Sequence, residues 1–379
     1  RTAIATDLDR NLFVEAGAGT GKTTALVARL VALVRRGTPL LRVAAITFTE
    51  AAAAELRERV REALGDAVRE GGPGADECQA ALTRFDDATI STLHAFAQRI
   101  LAEFPVEAGL PPGFEVLDDI QASIDFAERW QRFLDRIYDD PAYQRALTVL
   151  GALGFRMARL EDLARLVHAD WDRIADVPAT AAPPVVPPLS LTDARHALDA
   201  ALAYAPECRQ PADNLLRHLE DVLTPFRDAL RAATGADGAL DETVALDLLA
   251  ERPLVACSRG QKGNWPDKPA VVAALDDADA ALEAALDAVV APAVAGLLDA
   301  VTQFVRDSVD ERRRAGRLEF HDLLVLARDL VRRDPGVRAA LHERYHHLLL
   351  DEFQDTDPLQ IELAVLAATD DPDAGAKPW

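Results

Sequence analysis

The sequence predicts an α/β protein: a parallel sheet with helices on both faces, interrupted by a large, mostly helical insertion. Three observations carry this expectation. From Asn11 to Phe104, short apolar runs alternate with stretches of helical periodicity. From about Pro105 to Arg317 the chain is mostly Ala/Leu-rich amphipathic helix. Near the C-terminus, an apolar run ending in acids, "YHHLLLDEFQDT" (Tyr345–Thr356), is suited to rejoin the first sheet.

In chain order, "NLFVEA" (Asn11–Ala16) is a short apolar run before glycines, as a buried parallel strand should be. "KTTALVARLVALVRR" (Lys22–Arg36) has helical spacing and stops at Gly37. "RVAAITFT" (Arg42–Thr49) reads as a second strand and Glu50–Val68 as a second helix. "DATIST" (Asp87–Thr92) is a third strand, followed by the helix Leu93–Phe104. Within the insertion, "VPATAAPPVVPP" (Val177–Pro188) is too rich in proline for helix and reads as a linker. "CSRGQKGNWPDKP" (Cys257–Pro269) reads as a loop. Asp277–Ala300 approaches low complexity but keeps the apolar spacing of a packed helix. A last helix begins near Pro358.

Hydrophobic residues at 49% and charged residues at 27% are an ordinary globular balance, which excludes disordered and fibrous classes. The longest apolar stretches are interrupted by charge, so no run is expected to reach the roughly 20 residues of a membrane helix. No membrane partner is expected. The chain does not begin with Met and carries no visible signal peptide, so it is expected to start inside a longer protein. Cys78, Cys208 and Cys257 lie far apart without metal-ligand spacing, which fits free thiols in a reducing cytoplasm. The net charge of −22 argues at first against a nucleic-acid partner. Residues 71–300, however, hold 38 acidic and 19 basic side chains, so most of the acidity lies away from the ends. A low global pI does not exclude a local cationic groove.

The segment "FVEAGAGTGKTT" places a glycine-rich loop between a strand and a helix start. It nearly matches the phosphate-binding pattern G-x-x-x-x-G-K-[ST], with Ala16 at the first glycine position. Gly17, Gly19 and Gly21, with Ala18 and Thr20 between them, would turn successive N–H groups toward phosphate oxygens. Lys22 would reach the terminal phosphates of ATP, Thr23 would hold Mg²⁺, and Thr24 closes the motif. Such a loop needs an acid at the end of another strand. "LLLDEFQDT" supplies Asp351 for Mg²⁺ and Glu352 to orient or deprotonate water. Strand alternation would send the two acids to opposite faces and thus to different tasks.

"AGAGTGKTT", "AITFTEAAAAELRERV", "ISTLHAFAQRIL" and "LLLDEFQDTDPLQ" together resemble, in content and order, the motifs of UvrD/Rep-like superfamily 1 DNA helicases. The form "DEFQDTDPLQ" and the long insertion resemble the RecB/AddA-type branch. The resemblance implies a RecA-like motor domain begun by residues 1–104, an inserted helical domain over 105–316, and a return to the motor over 317–379. It implies Lys22 and Glu352 as catalytic residues, with Gln354 sensing γ-phosphate and coupling it to DNA. It also implies contacts to single-stranded DNA from Thr47, Phe48 and Thr49, and again from Thr92 and His94. Read without the family, Phe48 is better explained as a core aromatic, and His94 equally well as a helix cap or buried imidazole. Arg312, Arg313, Arg314 and Arg317 are open between phosphate contacts and a solvated helix face. Arg259, Lys262, Trp265 and Lys268 are open between a duplex-touching loop and a surface loop anchored by Trp265.

The resemblance implies an ATP-dependent 3′→5′ translocase of repair or recombination, acting on single-stranded and duplex DNA. A second helicase or nuclease subunit is a further expected partner. The adenine-reading glutamine, the second RecA-like domain and any nuclease cluster are not found in the sequence. The 379 residues alone are therefore expected to bind ATP weakly, to hydrolyse it negligibly and not to unwind DNA. Two rivals stand beside this reading: a P-loop ATPase that does not unwind, and a non-catalytic DNA-binding clamp. A Leu-Ser-Gly-Gly signature or long heptads would mark the first; neither is present. The acids and lysine in place argue against the second.

Overall fold

A computed structural model describes residues 2–15, 20–175, 177–178, 185–235, 239–352 and 357–369. The chain divides into two compact units: Arg1–Ser123 with Val309–Trp379, and Ile124–Ser308. The described strands are β1 (Val43–Thr47), β2 (Thr89–Thr92), β3 (Glu115–Val116), β4 (Arg317–Leu318) and β5 (His347–Leu350).

In the first unit, β2, β1 and β5 form a parallel sheet in that order. The α/β class expected from the sequence is borne out. β1 is central and buried along its whole length, and its small Ala44 and Ala45 are fully inaccessible. The helix Lys22–Arg35 starts after Gly21 at φ 86° and stops at Gly37 at φ 100°, two backbone conformations that favour glycine. Its Leu30 and Leu33 pack with Val60 and Leu64 of the helix Glu50–Glu70 and with Ile90 of β2. The helices that follow β1 and β2 are each capped by the hydroxyl that ends or follows the strand. Thr49 accepts from the Ala52 N–H and Thr92 from the Ala95 N–H.

The predicted strand Asn11–Ala16 is a correction. Asn11–Glu15 are described but lie in no strand, and Phe13 is 83% exposed. An apolar run becomes a strand only where a neighbour takes up its backbone hydrogen bonds, and the run itself carries no record of that neighbour. Here β1 already has a strand on each side.

The arginine cluster is resolved by its partners. Arg312 is fully buried, with Nε and Nη2 donating to Asp322 at 2.9 and 2.8 Å and Nη1 3.4 Å from Glu319. Arg313 donates to the Ala108 carbonyl, and Arg317 pairs with Glu115 at 3.0 Å beside the β3–β4 ladder. Arg314 is exposed and sits 3.8 Å from Asp310, one helical turn away.

The second unit is helical around one large core. Phe126, Trp130 and Phe133 project from one face of the helix Asp119–Asp139 and meet Phe304 at ring separations of 5.7, 5.3 and 5.0 Å. The helix Lys268–Ala315 runs 48 residues without a break, through Pro292. It contains an 18-residue window of mean hydropathy 1.8 with no more than two charged residues, so by length and composition alone it could cross a membrane. This departs from the expectation of no such run. Val289, Ala293, Leu297 and Val301, each four residues apart, are buried in this unit's core, which accounts for one apolar face of the helix.

The loop Cys257–Pro269 is knitted to one carboxylate. Asp213 accepts from the N–H groups of Leu215 and Gln261, from Asn264 Nδ2 and from Trp265 Nε1. Burial alone would push this carboxyl up, but the hydrogen bonds, led by Gln261, outweigh it and hold it at about 2. Trp265 is only 3% exposed, and Lys268 donates to the carbonyls of Ser258 and Gly260. Of the two readings left open, the anchored surface loop is the one these contacts fit: neither Trp265 nor Lys268 is presented for stacking on or pairing with DNA.

Candidate functional site

Parallel strands deliver their C-terminal ends to one edge of a sheet, where ligands of α/β proteins bind. β1 ends at Thr47, β2 at Thr92 and β5 at Leu350, and the register aligns them: Thr47 lies opposite Thr92, and Ile46 opposite Leu350. The Asp351 N–H donates to the Ile46 carbonyl at 2.9 Å, so the ladder continues one residue past β5.

The helix that begins at Lys22 reaches this edge. Thr23 Oγ1 donates to Asp351 Oδ2 at 3.0 Å, across 328 residues of sequence. Lys22 Nζ donates to Glu352 Oε2 at 3.2 Å, across 330 residues. Lys22 and Glu352 are 21% and 36% exposed, so the pair is open to solvent on one side. The two adjacent acids therefore meet two adjacent residues of one helix start. Alternation would have sent them to opposite faces, and the backbone explains the difference. Glu352 has φ 55°, the one left-handed non-glycine residue among those described. The strand ends there, its N–H folds back onto Asp351 Oδ1 at 3.0 Å, and the second carboxylate swings to the same side as the first.

Ala16, Gly17, Ala18 and Gly19 lie outside the described residues, as does Gln354. Thr20 lies just before the helix and Thr24 in its first turn, and both are exposed.

The expected strand-contact residues divide by exposure. Phe48 is 44% exposed, against the core reading. Thr47 is 3% exposed, and no hydrogen bond forms to its Oγ1 among the described residues. Thr92 is 4% exposed, and its hydroxyl both caps the next helix and donates to Glu50 Oε1 at 2.8 Å. Thr49 uses its hydroxyl as a cap. His94 is half-buried, its ring edge-on to Phe320 at 5.8 Å. Burial pushes the imidazole below its ordinary value; His321 adds to that, while Asp357 and Glu50 oppose it, so His94 is mainly neutral at pH 7. Thr47, Phe48, His94 and Asp351 line one cleft with Gln360. The expected nucleotide acid Asp351 and three of the expected strand contacts, Thr47, Phe48 and His94, thus share one opening, which Thr49 and Thr92 do not line.

Glu50 and Phe320 belong to this neighbourhood and were not singled out from the sequence. Glu50 had a signal, since it follows Thr49 directly. Phe320 had a weaker one, an aromatic at the first position of the helix Phe320–Arg333, ahead of that helix's buried stripe.

The family model for the UvrD/REP helicase N-terminal domain matches residues 1–374. A protein of Latilactobacillus sakei, named as an ATP-dependent helicase/nuclease subunit, is 26% identical over 96% of this chain and 46% of its own length. A protein of the same name from Pediococcus pentosaceus is 23% identical over 96% of this chain and 32% of its own. One from Desulforamulus reducens is 34% identical over 42% of this chain and 13% of its own. The chain spans less than half the length of these relatives.

Proposed function

Because the chain belongs to the UvrD/REP helicase family, matched over residues 1–374, we propose that it is the ATP-binding portion of a DNA motor that translocates 3′→5′ in repair or recombination. The observation that carries this reading is the meeting of Lys22 with Glu352 and of Thr23 with Asp351 at the C-terminal edge of a parallel sheet. Residues 1–104 and 317–379 form the motor domain in this account, and residues 105–316 the inserted domain. The relatives are named as one subunit of a helicase/nuclease, so a second subunit is the proposed protein partner. The free cysteines Cys78, Cys208 and Cys257 suit a cytoplasmic location.

The residues fit Mg²⁺. Thr23 Oγ1 and Asp351 Oδ2, 3.0 Å apart, are hard oxygen donors from two elements. Mg²⁺ typically takes only one or two protein carboxylates and fills its remaining positions with phosphate and water. When bound, Mg²⁺ would supply neutralisation of the negative charge on the nucleotide phosphates.

The chain's own residues then have separable tasks. The N–H groups of the loop Ala16–Gly21 and the start of the helix hold the phosphates of ATP, with Thr24 closing the motif. Lys22 exchanges Glu352 for the terminal phosphates. Glu352, released from its ion pair, is placed to orient water and take its proton. Gln354 follows on the same segment as the proposed γ-phosphate sensor. Phe48 stacks a base of the single strand, with His94 beside it. Thr47, Thr49 and Thr92 shape that edge; the buried Thr92 and the capping Thr49 act by fixing the two helix starts.

In the complete protein, Lys22→Ala is expected to lower DNA-stimulated ATPase activity by a factor of about 10²–10³ or more. It should abolish unwinding while leaving the circular dichroism spectrum unchanged. Unwinding by Lys22→Ala at the parent rate would overturn the assignment of Lys22.

A further inference from the structure

Two buried polar side chains on the cleft lack the partners that burial normally demands. Thr47, the last residue of β1, is 3% exposed, and its Oγ1 meets no hydrogen-bond partner among the described residues. Gln360, in the first turn of the helix Pro358–Ala368, is 7% exposed. Its N–H donates to the N-cap carboxylate of Asp357 at 2.8 Å. A glutamine at this position can reach back to the N-cap N–H. Here no hydrogen bond to the Gln360 side-chain amide forms among the described residues. The amide also stands on a buried face otherwise made of Leu359, Leu363, Ala364 and Leu366. Buried polar groups are nearly always paired, so two unpaired ones on one cleft call for something they share.

Thr47 and Gln360 line the cleft together with Asp351. The cleft has room for about one water, and a buried water is held by about two to four polar partners. A hydroxyl and a primary amide can each donate and accept, so both suit a water. A base is too large for this space, and the Asp351 carboxylate beside it repels phosphate. The two side chains belong to segments with different tasks. Thr47 directly precedes the exposed ring of Phe48. Gln360 begins the helix that follows the segment carrying Asp351 and Glu352. The Asp351 N–H already ties the start of that segment to the Ile46 carbonyl. A link from Gln360 to Thr47 would tie the segment's far end to the next residue of β1.

We infer that Gln360 is a positioning residue: through one water shared with Thr47 Oγ1, it links the segment bearing the nucleotide acids to the strand end bearing Phe48, and so makes ATP turnover respond to single-stranded DNA. The inference rests on the motor reading of this cleft. Gln360 acts through Thr47 and contributes to coupling, not to affinity for the strand.

The test is steady-state ATPase of the complete protein with and without oligo-dT. The variants are Gln360→Met, Thr47→Val, Thr47→Ser and the double variant Thr47→Val/Gln360→Met. Oligo-dT affinity is followed by fluorescence anisotropy and stability by urea melts. Gln360→Met and Thr47→Val are each expected to lower the stimulation by oligo-dT about 5–10-fold, the scale of one hydrogen bond. The double variant should fall no further than either, because each single change already breaks the shared link. Thr47→Ser keeps the hydroxyl and should stay within about twofold of the parent, as should the oligo-dT affinity of Gln360→Met. The double variant leaves neither buried group unpaired, so its urea midpoint should match or exceed the parent's, which separates lost coupling from lost fold. Thr47→Val keeps the shape of the side chain and reads the same coupling without depending on Gln360→Met folding. A stimulated parent matched by Gln360→Met and Thr47→Val overturns the inference alone. So do single losses that multiply in the double variant, or an oligo-dT affinity of Gln360→Met that falls as far as its stimulation. A parent that oligo-dT does not stimulate overturns the motor reading, and the inference with it.

Discussion

Arg312 shows how far a residue's role can lie from its type. Three arginines in a row, with a fourth close by, read as a basic patch, yet the first is fully buried between Asp322 and Glu319. Sequence could not separate the four, because burial of a long cation depends on which carboxylates the fold brings to it. Arg312→Ala would leave Asp322, 2% exposed, as an uncompensated buried charge. We expect a loss of about 3–5 kcal/mol in urea melts. Replacing both partners with apolar residues should recover much of that loss. A cost for Arg312→Ala below about 1 kcal/mol, the range of an exposed pair, would contradict the assignment. Lys22 and Glu352 stand at the other extreme. Both were legible as a motif pair, and the structure adds their direct contact and the left-handed turn at Glu352 that makes it possible.

Among the elements, the helices and strands with their own punctuation were the most legible. Gly21 and Gly37 bound one helix, and Thr49 and Thr92 start two others. Asn11–Glu15 form no strand because apolar content alone cannot name a ladder partner. The packed helix expected over Asp277–Ala300 lies inside the longer helix Lys268–Ala315, one face of which is packed into a core. The loop Arg259–Lys268 was ambiguous because its order comes from Asp213, more than 40 residues upstream. That carboxyl, held at about 2, contributes to stability with a definite sign. Its folded value lies below the unfolded value of about 3.9, so the contribution is complete above about pH 4 and fades as pH falls toward 2. In urea melts at neutral pH, Asp213→Asn should be less stable than the parent by about 2 kcal/mol. The gap should begin to close below about pH 4. A gap that stays constant from pH 7 to pH 3 would show that the carboxylate charge is not what the loop depends on.

At the scale of the whole molecule, what the sequence made legible was a juxtaposition. A loop near one end and an acidic strand end some 330 residues later are useful only if the fold brings them together, and it does so at 3.0 and 3.2 Å. The large helical unit Ile124–Ser308 between them was visible as a change of periodicity, but its aromatic core and its anchored loops were not. The net charge of −22 gave least guidance, since it says nothing of which carboxylates are paired around a particular cleft. The central claim is that Glu352, once Lys22 leaves it, activates water for ATP hydrolysis coupled to a DNA strand. The most direct measurement is steady-state ATPase of the complete protein with and without oligo-dT, comparing parent and Glu352→Gln, with nucleotide binding followed in parallel. Oligo-dT should stimulate the parent, and Glu352→Gln should still bind ATP while its stimulated turnover falls by about 10²–10⁴. Turnover by Glu352→Gln near the parent rate, or a parent indifferent to oligo-dT, would contradict the claim.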